Sequence, residues 1–305
     1  MPDMPKIFSP RRELGTTGFK ATQLGIGDVA DRAVAFIDCV ATIRRTLDAG
    51  LNIIDTAPMY ENGYSEEIVG AALLGRRDDV FVIDKIDHHD KPVLPQADES
   101  LSRLKMDHTD LFLFHAVSSV DAWKKIAAPG GAMHELTECV RSGKTRFRGI
   151  STHRSDVARE AVLSGLCDVI MLPVGPVCDE LNISEILSLA RRHAVGTIGI
   201  KTFGAGKLLG DTEGYNRPLQ ERPRGKVSSG GGSTAPLLPH LSVAECLYYS
   251  LTCDPDVTLL GMSFPNEQDA VFEAMKKFSP LGTDAMEQIR QKAAEAMKGK
   301  GSRWW

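Results

Sequence analysis

VFVIDKIDHHDKPVLPQADESLSRLKMDHTDLFLFH, residues 80 to 115, contains the pattern that decides the fold. Two short apolar runs, at 80 to 85 and 110 to 115, flank the amphipathic stretch DESLSRLKM at 98 to 106. Near-continuous apolar runs of this length are typical of strands that are buried on both faces of a parallel sheet. A strand, a helix and a second strand in this order form one repeating unit of an α/β protein.

The same unit recurs along the chain. Six more β-rich apolar runs are TQLGIG (22 to 27), NIIDTA (52 to 57), FRGIST (147 to 152), DVIMLP (168 to 173), GTIGIK (196 to 201) and VTLLGM (257 to 262). Helix-like stretches such as VATIRRTLDAG (40 to 50) and SEEIVGAALLG (65 to 75) lie between them. Eight such units predict a (β/α)₈ TIM barrel of the α/β class, with residues 1–305 forming a single domain. An open doubly wound sheet is less favoured, because only Gly25 and Gly27 match its glycine-rich turn.

Composition narrows the expected partners. The chain has 305 residues, of which 42% are hydrophobic and 25% charged, an ordinary balance for a folded protein with a sizeable core. Its net charge of −4 gives no positive field that would gather nucleic acid or an anionic membrane. We therefore expect a small-molecule partner, no nucleic acid and no membrane, and we leave self-association as a homo-oligomer open.

The expected location is the cytoplasm. The six cysteines never form a Cys-x-x-Cys motif, which favours reduced thiols over a disulfide framework. Arg11 and Arg12 are not followed by an apolar run of signal-peptide length. The longest apolar runs, such as 110 to 114, are far shorter than the ~20 residues that span a bilayer.

One long loop stands out, at about 204 to 240, after the seventh predicted strand. It contains GKVSSGGGSTAPLLPH at 225 to 240, a composition typical of a surface loop. A flexible insertion is one interpretation. We predict instead a lid-like loop, since it leaves the barrel at the carboxyl ends of the strands, where barrel enzymes place their sites.

Polar residues close three consecutive strands. Asp55, Lys85 and His115 end the second, third and fourth apolar runs, and Tyr60 follows Asp55 by five residues. A charged residue at the end of a buried strand needs a partner, so we expect Asp55 and Lys85 to form an ion pair. A nearby ammonium lowers the pKa of a phenol, so we expect Lys85 to lower the pKa of Tyr60. With His115 bound to a substrate oxygen, this set predicts acid–base chemistry on a carbonyl or an alcohol.

A metal centre is a competing interpretation of the same rim. Asp87, His88, His89 and Asp90 follow Lys85, and the first three with His115 could serve a metal-dependent barrel hydrolase or isomerase. A substrate-pocket role and an exposed polar loop are the other interpretations of this segment. His153, after the fifth strand, has two interpretations, a substrate contact and a solvated helix start.

These motifs resemble the aldo-keto reductase family. DTAPMY (55 to 60), VIDK (82 to 85) and LFLFH (111 to 115) match the family's catalytic segments in order, and RRELGTTGFKATQLGIG (11 to 27) is similar to its N-terminal hairpin and first strand. The resemblance implies a β-hairpin at about 10–20 and catalytic roles for Asp55, Tyr60, Lys85 and His115. It implies an NAD(P)H-dependent oxidoreductase that reduces an aldehyde or ketone to an alcohol, or catalyses the reverse, with hydride from nicotinamide, a proton from Tyr60 and no metal.

The resemblance also implies a cofactor site. RGIST (148 to 152), IGIKTFGAGKL (198 to 208) and LLGMSFP (259 to 265) are similar to the family's cofactor segments. The cofactor-binding residues implied by this alignment are Gly27, Asp55, Ser151, Thr152, Met171, Lys201, Phe203, Gly204, Gly206, Gly261, Ser263 and Gln268. NADP(H) is expected, with NAD(H) as the second nucleotide.

The chain departs from the family pattern at several positions that would contact the cofactor. Thr152, Met171 and Ile200 stand where the family commonly has Asn, Gln and an aromatic residue, and no Arg follows Ser263. An alternative is therefore a cofactor-binding regulatory or scaffold barrel with little turnover.

Overall fold

The chain enters the fold through a two-stranded hairpin, as predicted. In this computed structural model, which describes residues 6–209, 239–298 and 300, strands β1 (Arg12–Glu13) and β2 (Lys20–Ala21) pair antiparallel. Leu14, within the hairpin, is fully buried among the residues of the barrel interior. Arg11 and Arg12 both form ion pairs with Asp254, so this arginine pair fixes the hairpin to the loop before the last strand.

Eight parallel strands then close into a barrel, which confirms the predicted fold class. The strands are β3 (Leu24–Ile26), β4 (Ile53–Asp55), β5 (Phe81–Ile86), β6 (Thr109–Phe114), β7 (Thr145–Ser151), β8 (Val169–Pro173), β9 (Gly196–Ile200) and β10 (Val257–Leu260). Each lies within or overlaps one of the eight apolar runs of the sequence. They follow one another around the barrel in chain order, and β10 closes it against β3.

Helices surround the barrel. Those in the described residues are α1 (Phe36–Asp48), α2 (Tyr64–Ala72), α3 (Val93–Leu104), α4 (Val120–Ala127), α5 (Ala132–Arg141), α6 (Ser155–Leu163), α7 (Leu187–Arg192), α8 (Val243–Thr252), α9 (Pro265–Met275) and α10 (Thr283–Met297). Shorter helical turns lie at Arg77–Asp79, Asn182–Ile186 and Gly204–Leu209. No helix of the described segments is both long enough and apolar enough to cross a membrane.

The barrel interior is packed with side chains. Ile53, Phe81, Leu111 and Ile198 belong to one buried cluster contributed by neighbouring strands. Gly149 in β7 allows a close approach, since a Cβ atom there would lie 1.8 Å from the carbonyl oxygen of Val169 in β8. This packing fixes the strand register and therefore the relative height of the residues at the carboxyl rim.

The predicted lid lies almost wholly outside the described residues. Gly204–Leu209 forms a turn after β9, and the chain is described again from residue 239 onward. Residues 210 to 238, like Trp304 and Trp305, are among those not described, so the lid stays a prediction.

Candidate active site

A cleft of about 590 Å³ opens where the barrel strands end. Asp55, Tyr60, Lys85 and His115 all line it, from one side. Parallel strands place their carboxyl ends at one rim, so residues far apart in sequence meet there. The structure therefore brings together all four residues that the sequence assigned to catalysis.

Lys85 and Asp55 form the ion pair that the sequence predicted. The ammonium Nζ lies 2.6 Å from Asp55 Oδ1 and donates a second hydrogen bond, also of 2.6 Å, to the carbonyl oxygen of Thr56. The Lys85 side chain is 1% exposed and that of Asp55 6%. Burial alone would lower the pKa of Lys85, but the charges of Asp55 and Tyr60 outweigh it and raise that pKa. Lys85 is therefore a fixed, fully charged ammonium at the base of the cleft.

Tyr60 lies over this ammonium, on the turn between β4 and α2. Lys85 Nζ is 4.7 Å from the centroid of the phenol ring, and the His115 ring packs edge-on at 5.6 Å. Burial raises the pKa of Tyr60, and the opposing effect of Lys85 is smaller. The expectation of a lowered pKa is therefore wrong for this structure, because desolvation of the phenolate exceeds its attraction to the ammonium. Tyr60 stays protonated at neutral pH and can donate a proton.

His115 has a partner that the sequence did not assign to it. Its Nδ1 lies 2.5 Å from Asp87 Oδ1, and Asp87 Oδ2 accepts the backbone N–H of Met59 at 2.7 Å. Asp87 follows Lys85 by two residues, and the sequence offers it as a metal ligand, a residue of the substrate pocket or part of an exposed loop, but not as a partner of His115. Nε2 of His89 lies 2.9 Å from the carbonyl oxygen of His115. Within the described segments, no three His, Cys, Asp or Glu residues lie close enough together to hold a metal ion.

Another carboxyl group, that of Asp84, lies directly behind the rim, on the outer face of β5. Asp84 is fully buried, accepts the backbone N–H of Lys85 at 2.8 Å and interacts electrostatically with the carboxyl group of Glu66 in α2. Arg103 of α3 forms an ion pair with Glu66. Burial and the charge of Glu66 raise the pKa of Asp84 well above its usual range. Burial beside Glu66 therefore favours the protonated form of Asp84.

Most of the predicted cofactor residues also line the cleft. They are Gly27, Asp55, Ser151, Met171, Lys201, Phe203, Gly206, Gly261 and Ser263. Met171, Ile200 and Leu259 give this side an apolar surface onto which a planar ring can pack. The Ser151 hydroxyl accepts the backbone N–H of Ala116 at 2.8 Å and keeps its own hydrogen for donation.

Three predicted cofactor residues do not reach the cleft. The Thr152 hydroxyl donates to the carbonyl oxygen of Val117 at 2.7 Å. Gln268 is fully buried, donates to the carbonyl oxygen of Thr42 at 2.9 Å and accepts from Arg45 at 3.1 Å, so it joins α9 to α1. Gly204 has φ of 55° in the turn after β9, a conformation that favours glycine.

Two polar residues of the cleft were missed by sequence reasoning. Asp28 follows the first barrel strand, and Thr202 follows Lys201. The Thr202 hydroxyl oxygen is buried and has no hydrogen-bond partner within the described part of the chain. An unsatisfied buried hydroxyl costs about 1–3 kcal/mol, so Thr202 is a locally unfavourable feature of the cleft wall.

The groups that could meet a phosphate of the cofactor lie after β9 and at the start of α9, and they differ in availability. Ser263 and Phe264, at the start of α9, donate their backbone N–H groups to the Glu267 carboxylate at 2.7 and 3.2 Å. A phosphate at this helix start would therefore meet donors that are already used. Lys201, which follows β9 and whose pKa is lowered by burial, lines the cleft just before the glycine-containing turn. His153 lies near it, and burial together with Lys201 and His115 lowers the pKa of His153 to about 4.

The fold is a (β/α)₈ barrel, and its rim carries Asp, Tyr, Lys and His opposite an apolar wall with hydroxyl groups. This combination defines a barrel oxidoreductase. The model of the aldo/keto reductase family matches residues 14–294, so the chain belongs to that family. Members of the family are NAD(P)-dependent oxidoreductases, and this protein is accordingly an enzyme that interconverts carbonyl compounds and alcohols.

One relative matches most of the chain and another matches part of it. The protein is 29% identical over 297 residues to the L-galactose dehydrogenase of Arabidopsis thaliana, and the match covers 90% of each chain. It is 34% identical over 115 residues to a methylglyoxal reductase of Escherichia coli, covering 37% of this chain and 38% of that protein.

Solved structures share the fold. An aldo-keto reductase of Bacillus halodurans in its holo form superimposes with a TM-score of 0.67 at 25% identity, covering 93% of this chain and 96% of that one. An aldo/keto reductase of Klebsiella pneumoniae, solved in complex with NADP and acetate, gives a TM-score of 0.66 at 21% identity, covering 93% and 95%. The second likeness concerns the fold alone.

Proposed function

We propose that Tyr60 is the proton donor of an NAD(P)H-dependent carbonyl reductase, with Lys85, Asp55 and His115 as its catalytic partners. One observation carries the proposal: Lys85 Nζ lies 2.6 Å from Asp55 and 4.7 Å from the centre of the Tyr60 ring, inside the cleft. A protonated phenol beside a fixed ammonium can give its proton to a carbonyl oxygen and leave a phenolate that the ammonium stabilises.

Each residue has a distinct part in this step. The nicotinamide, when bound, supplies or takes up the hydride. Tyr60 donates its hydroxyl proton to the substrate oxygen, and Lys85 stabilises the negative charge that forms on the phenol oxygen. Asp55 holds the ammonium in place. Water is largely kept from this set, since Lys85 and Asp55 are almost fully buried, and the low local polarity strengthens each charge interaction.

The opposite wall is the proposed nucleotide site. Ser151 offers its remaining hydrogen, while Met171 and Ile200 present apolar surface to the nicotinamide ring. Lys201 is proposed to meet a phosphate of the nucleotide. NADP(H) is the proposed cofactor and NAD(H) the second choice, and the small substrate is an aldehyde, a ketone or the corresponding alcohol. The cytoplasmic location and a homo-oligomer stay predictions of the sequence.

The test begins with fluorescence titration of the purified protein with NADPH and with NADH, which needs no substrate. Turnover is then measured with methylglyoxal and NADPH, and with L-galactose and NADP⁺. Tyr60→Phe is expected to keep the nucleotide affinity within about twofold and to lose roughly 10³-fold in kcat. Comparable kcat in this variant would remove Tyr60 from the role of proton donor, and absence of binding to every nucleotide form would contradict the proposed cofactor.

A further inference from the structure

Lys300 is a buried lysine that lies after the last helix. It is 1% exposed, and its ammonium Nζ donates hydrogen bonds to the carbonyl oxygens of Lys207 at 2.7 Å and of Pro239 at 3.0 Å. The backbone N–H of Lys300 donates to the carbonyl oxygen of Met297 at 3.2 Å, so the chain turns directly after α10. One ammonium therefore joins the end of α10 to two segments that are distant from it in sequence.

The turn after β9, residues 201 to 209, is one of these segments, and it forms part of the cleft wall. Its residues that line the cleft include Phe203, Ala205, Gly206 and Leu209. Lys201 and Ala205 have φ of 67° and 55°, in the left-handed region. That conformation is unfavourable for residues with a Cβ atom, so it persists only where the surrounding structure holds it.

The contacts that hold this turn come from outside the cleft. The carbonyl oxygen of Leu208 accepts the backbone N–H of Leu241 at 2.7 Å, and Leu208 packs in one buried cluster with residues of α10. Lys300 adds a bond to the preceding carbonyl, that of Lys207. This bond has a charged donor, and such hydrogen bonds are about twice as strong as neutral ones.

We propose that Lys300 is a positioning residue for nucleotide binding, which it supports by holding the turn after β9 in the conformation that lines the cleft. Lys300 acts through the turn, since it is not among the described residues that line the cleft. A turn that adopts the binding conformation for only part of the time lowers the affinity by that fraction. This inference rests on the proposed function, because it concerns the nucleotide affinity of the same cleft.

The turn is tested first, in the protein without nucleotide. Lys300→Met removes the ammonium and keeps an unbranched apolar side chain. Amide hydrogen exchange of the peptides that cover 201 to 209 and 239 to 245 is expected to be about tenfold faster in this variant, whereas exchange in α3 is expected to be unchanged. Equal exchange of both peptides in the two proteins would overturn the proposal.

Nucleotide affinity is tested next, by fluorescence titration with NADPH. Lys300→Met is expected to raise the dissociation constant about tenfold, the effect of a turn that adopts the binding conformation about one tenth of the time. The kcat with methylglyoxal at saturating NADPH is expected to change by less than about twofold, because the catalytic wall keeps its hydrogen bonds. An unchanged dissociation constant would overturn the proposal, as would a loss confined to kcat.

Lys298→Met is the matched control. The Lys298 side chain is 71% exposed and pairs with Glu295 on the same helix, two residues before Lys300. Its loss is expected to keep the exchange rates and the dissociation constant within about twofold of the wild-type values. An equal weakening of NADPH binding in this control would contradict a specific role of Lys300.

Lys300→Gln decides the question if Lys300→Met does not fold. Its side chain is uncharged and one bond shorter, and it is expected to raise the dissociation constant of NADPH about fivefold. Unchanged affinity in this variant would overturn the proposal. If the wild-type protein binds nucleotide and the variants bind it equally well, this inference alone fails. If the wild-type protein binds no nucleotide, the proposed function fails with it.

Discussion

The cleft has two walls that satisfy their polar groups in different ways. On the wall formed by β4, β5 and β6, Lys85 bonds Asp55, and His115 bonds Asp87. On the wall formed by β8, β9 and β10, the surface is mainly apolar and the Thr202 hydroxyl has no partner among the described residues. The polar side chains of the first wall hold one another in place through these hydrogen bonds. Proton transfer requires such a fixed geometry. The second wall offers apolar surface instead of such a network.

Among the substitutions below, removal of the Lys85 ammonium from the first wall should have the largest effect on activity and stability. Lys85→Met removes the ammonium beside Tyr60 and leaves Asp55 as a buried, unpaired carboxylate. We expect kcat to fall roughly 10³-fold and the free energy of unfolding to fall by about 3–5 kcal/mol. Turnover assays and urea denaturation measure the two effects.

The matched control is Lys91→Met, at an exposed position of the loop after β5. It is expected to leave both quantities close to those of the wild-type protein, because surface substitutions usually change stability by less than about 0.5 kcal/mol. Full activity in Lys85→Met would show that the first wall does not depend on its ammonium.

On the second wall, Lys201 should matter for binding more than for the chemical step. Lys201→Met is expected to raise the dissociation constant of NADPH about 10- to 100-fold, the effect of losing one charge-assisted hydrogen bond. The kcat at saturating nucleotide is expected to change by less than about threefold. Fluorescence titration and steady-state kinetics separate the two, and an unchanged affinity would place the phosphate groups away from Lys201.

Thr202 tests whether a buried hydroxyl without a partner lowers the stability of the second wall. Thr202→Val keeps the shape of the side chain and removes a buried hydroxyl that has no partner in the described residues. The nucleotide-free protein is expected to become more stable by about 1 kcal/mol, and the affinity for NADPH to stay within about twofold, because the hydroxyl oxygen is closed off from the cleft. Thermal denaturation with and without NADPH measures both. A variant that is less stable without nucleotide would show that the hydroxyl is already satisfied.

The smallest effect concerns the carboxyl pair behind the first wall. The folded Asp84–Glu66 pair retains a proton that the unfolded chain releases, since the folded pKa of Asp84 is raised by burial and by Glu66. Stability should therefore fall as pH rises above the usual carboxyl range near pH ~4, by at most about 1.4 kcal/mol per pH unit.

Asp84→Asn should remove part of this slope and stabilise the protein above pH 7, because the amide keeps an acceptor for the Lys85 N–H and donates to Glu66. Urea denaturation between pH 5 and pH 9 measures the slope. Asp90→Asn serves as the control, and an identical slope in Asp84→Asn would mean that the pair holds no extra proton.

The fold was predictable because its signal is local and repeated. Each barrel strand is a short apolar run, and eight runs separated by helices leave few alternatives to a closed parallel barrel. The four residues of the catalytic wall were predictable for the same reason: strand ends meet at one rim, so position along the chain indicates position in space. Residues 210 to 238 are outside the described part of the chain, and there the sequence gives a prediction only.

The second wall was harder to predict. Gln268, expected at the cofactor, instead joins α9 to α1, and Thr152 bonds the backbone of Val117. Both are polar residues whose direction depends on how a loop or helix packs against the barrel. Nothing in the local sequence distinguishes a polar side chain that faces a ligand from one that satisfies a buried backbone group.

The sequence by itself determined the barrel, the hairpin and the meeting of Asp55, Tyr60, Lys85 and His115, because periodicity and strand ends are properties of the chain. Only the tertiary structure decided the direction of the Tyr60 pKa shift, the pairing of Asp87 with His115 and the contact between Asp84 and Glu66. Burial and side-chain hydrogen bonds depend on every element packed around a group. Their balance exists only once the barrel and its helices are assembled.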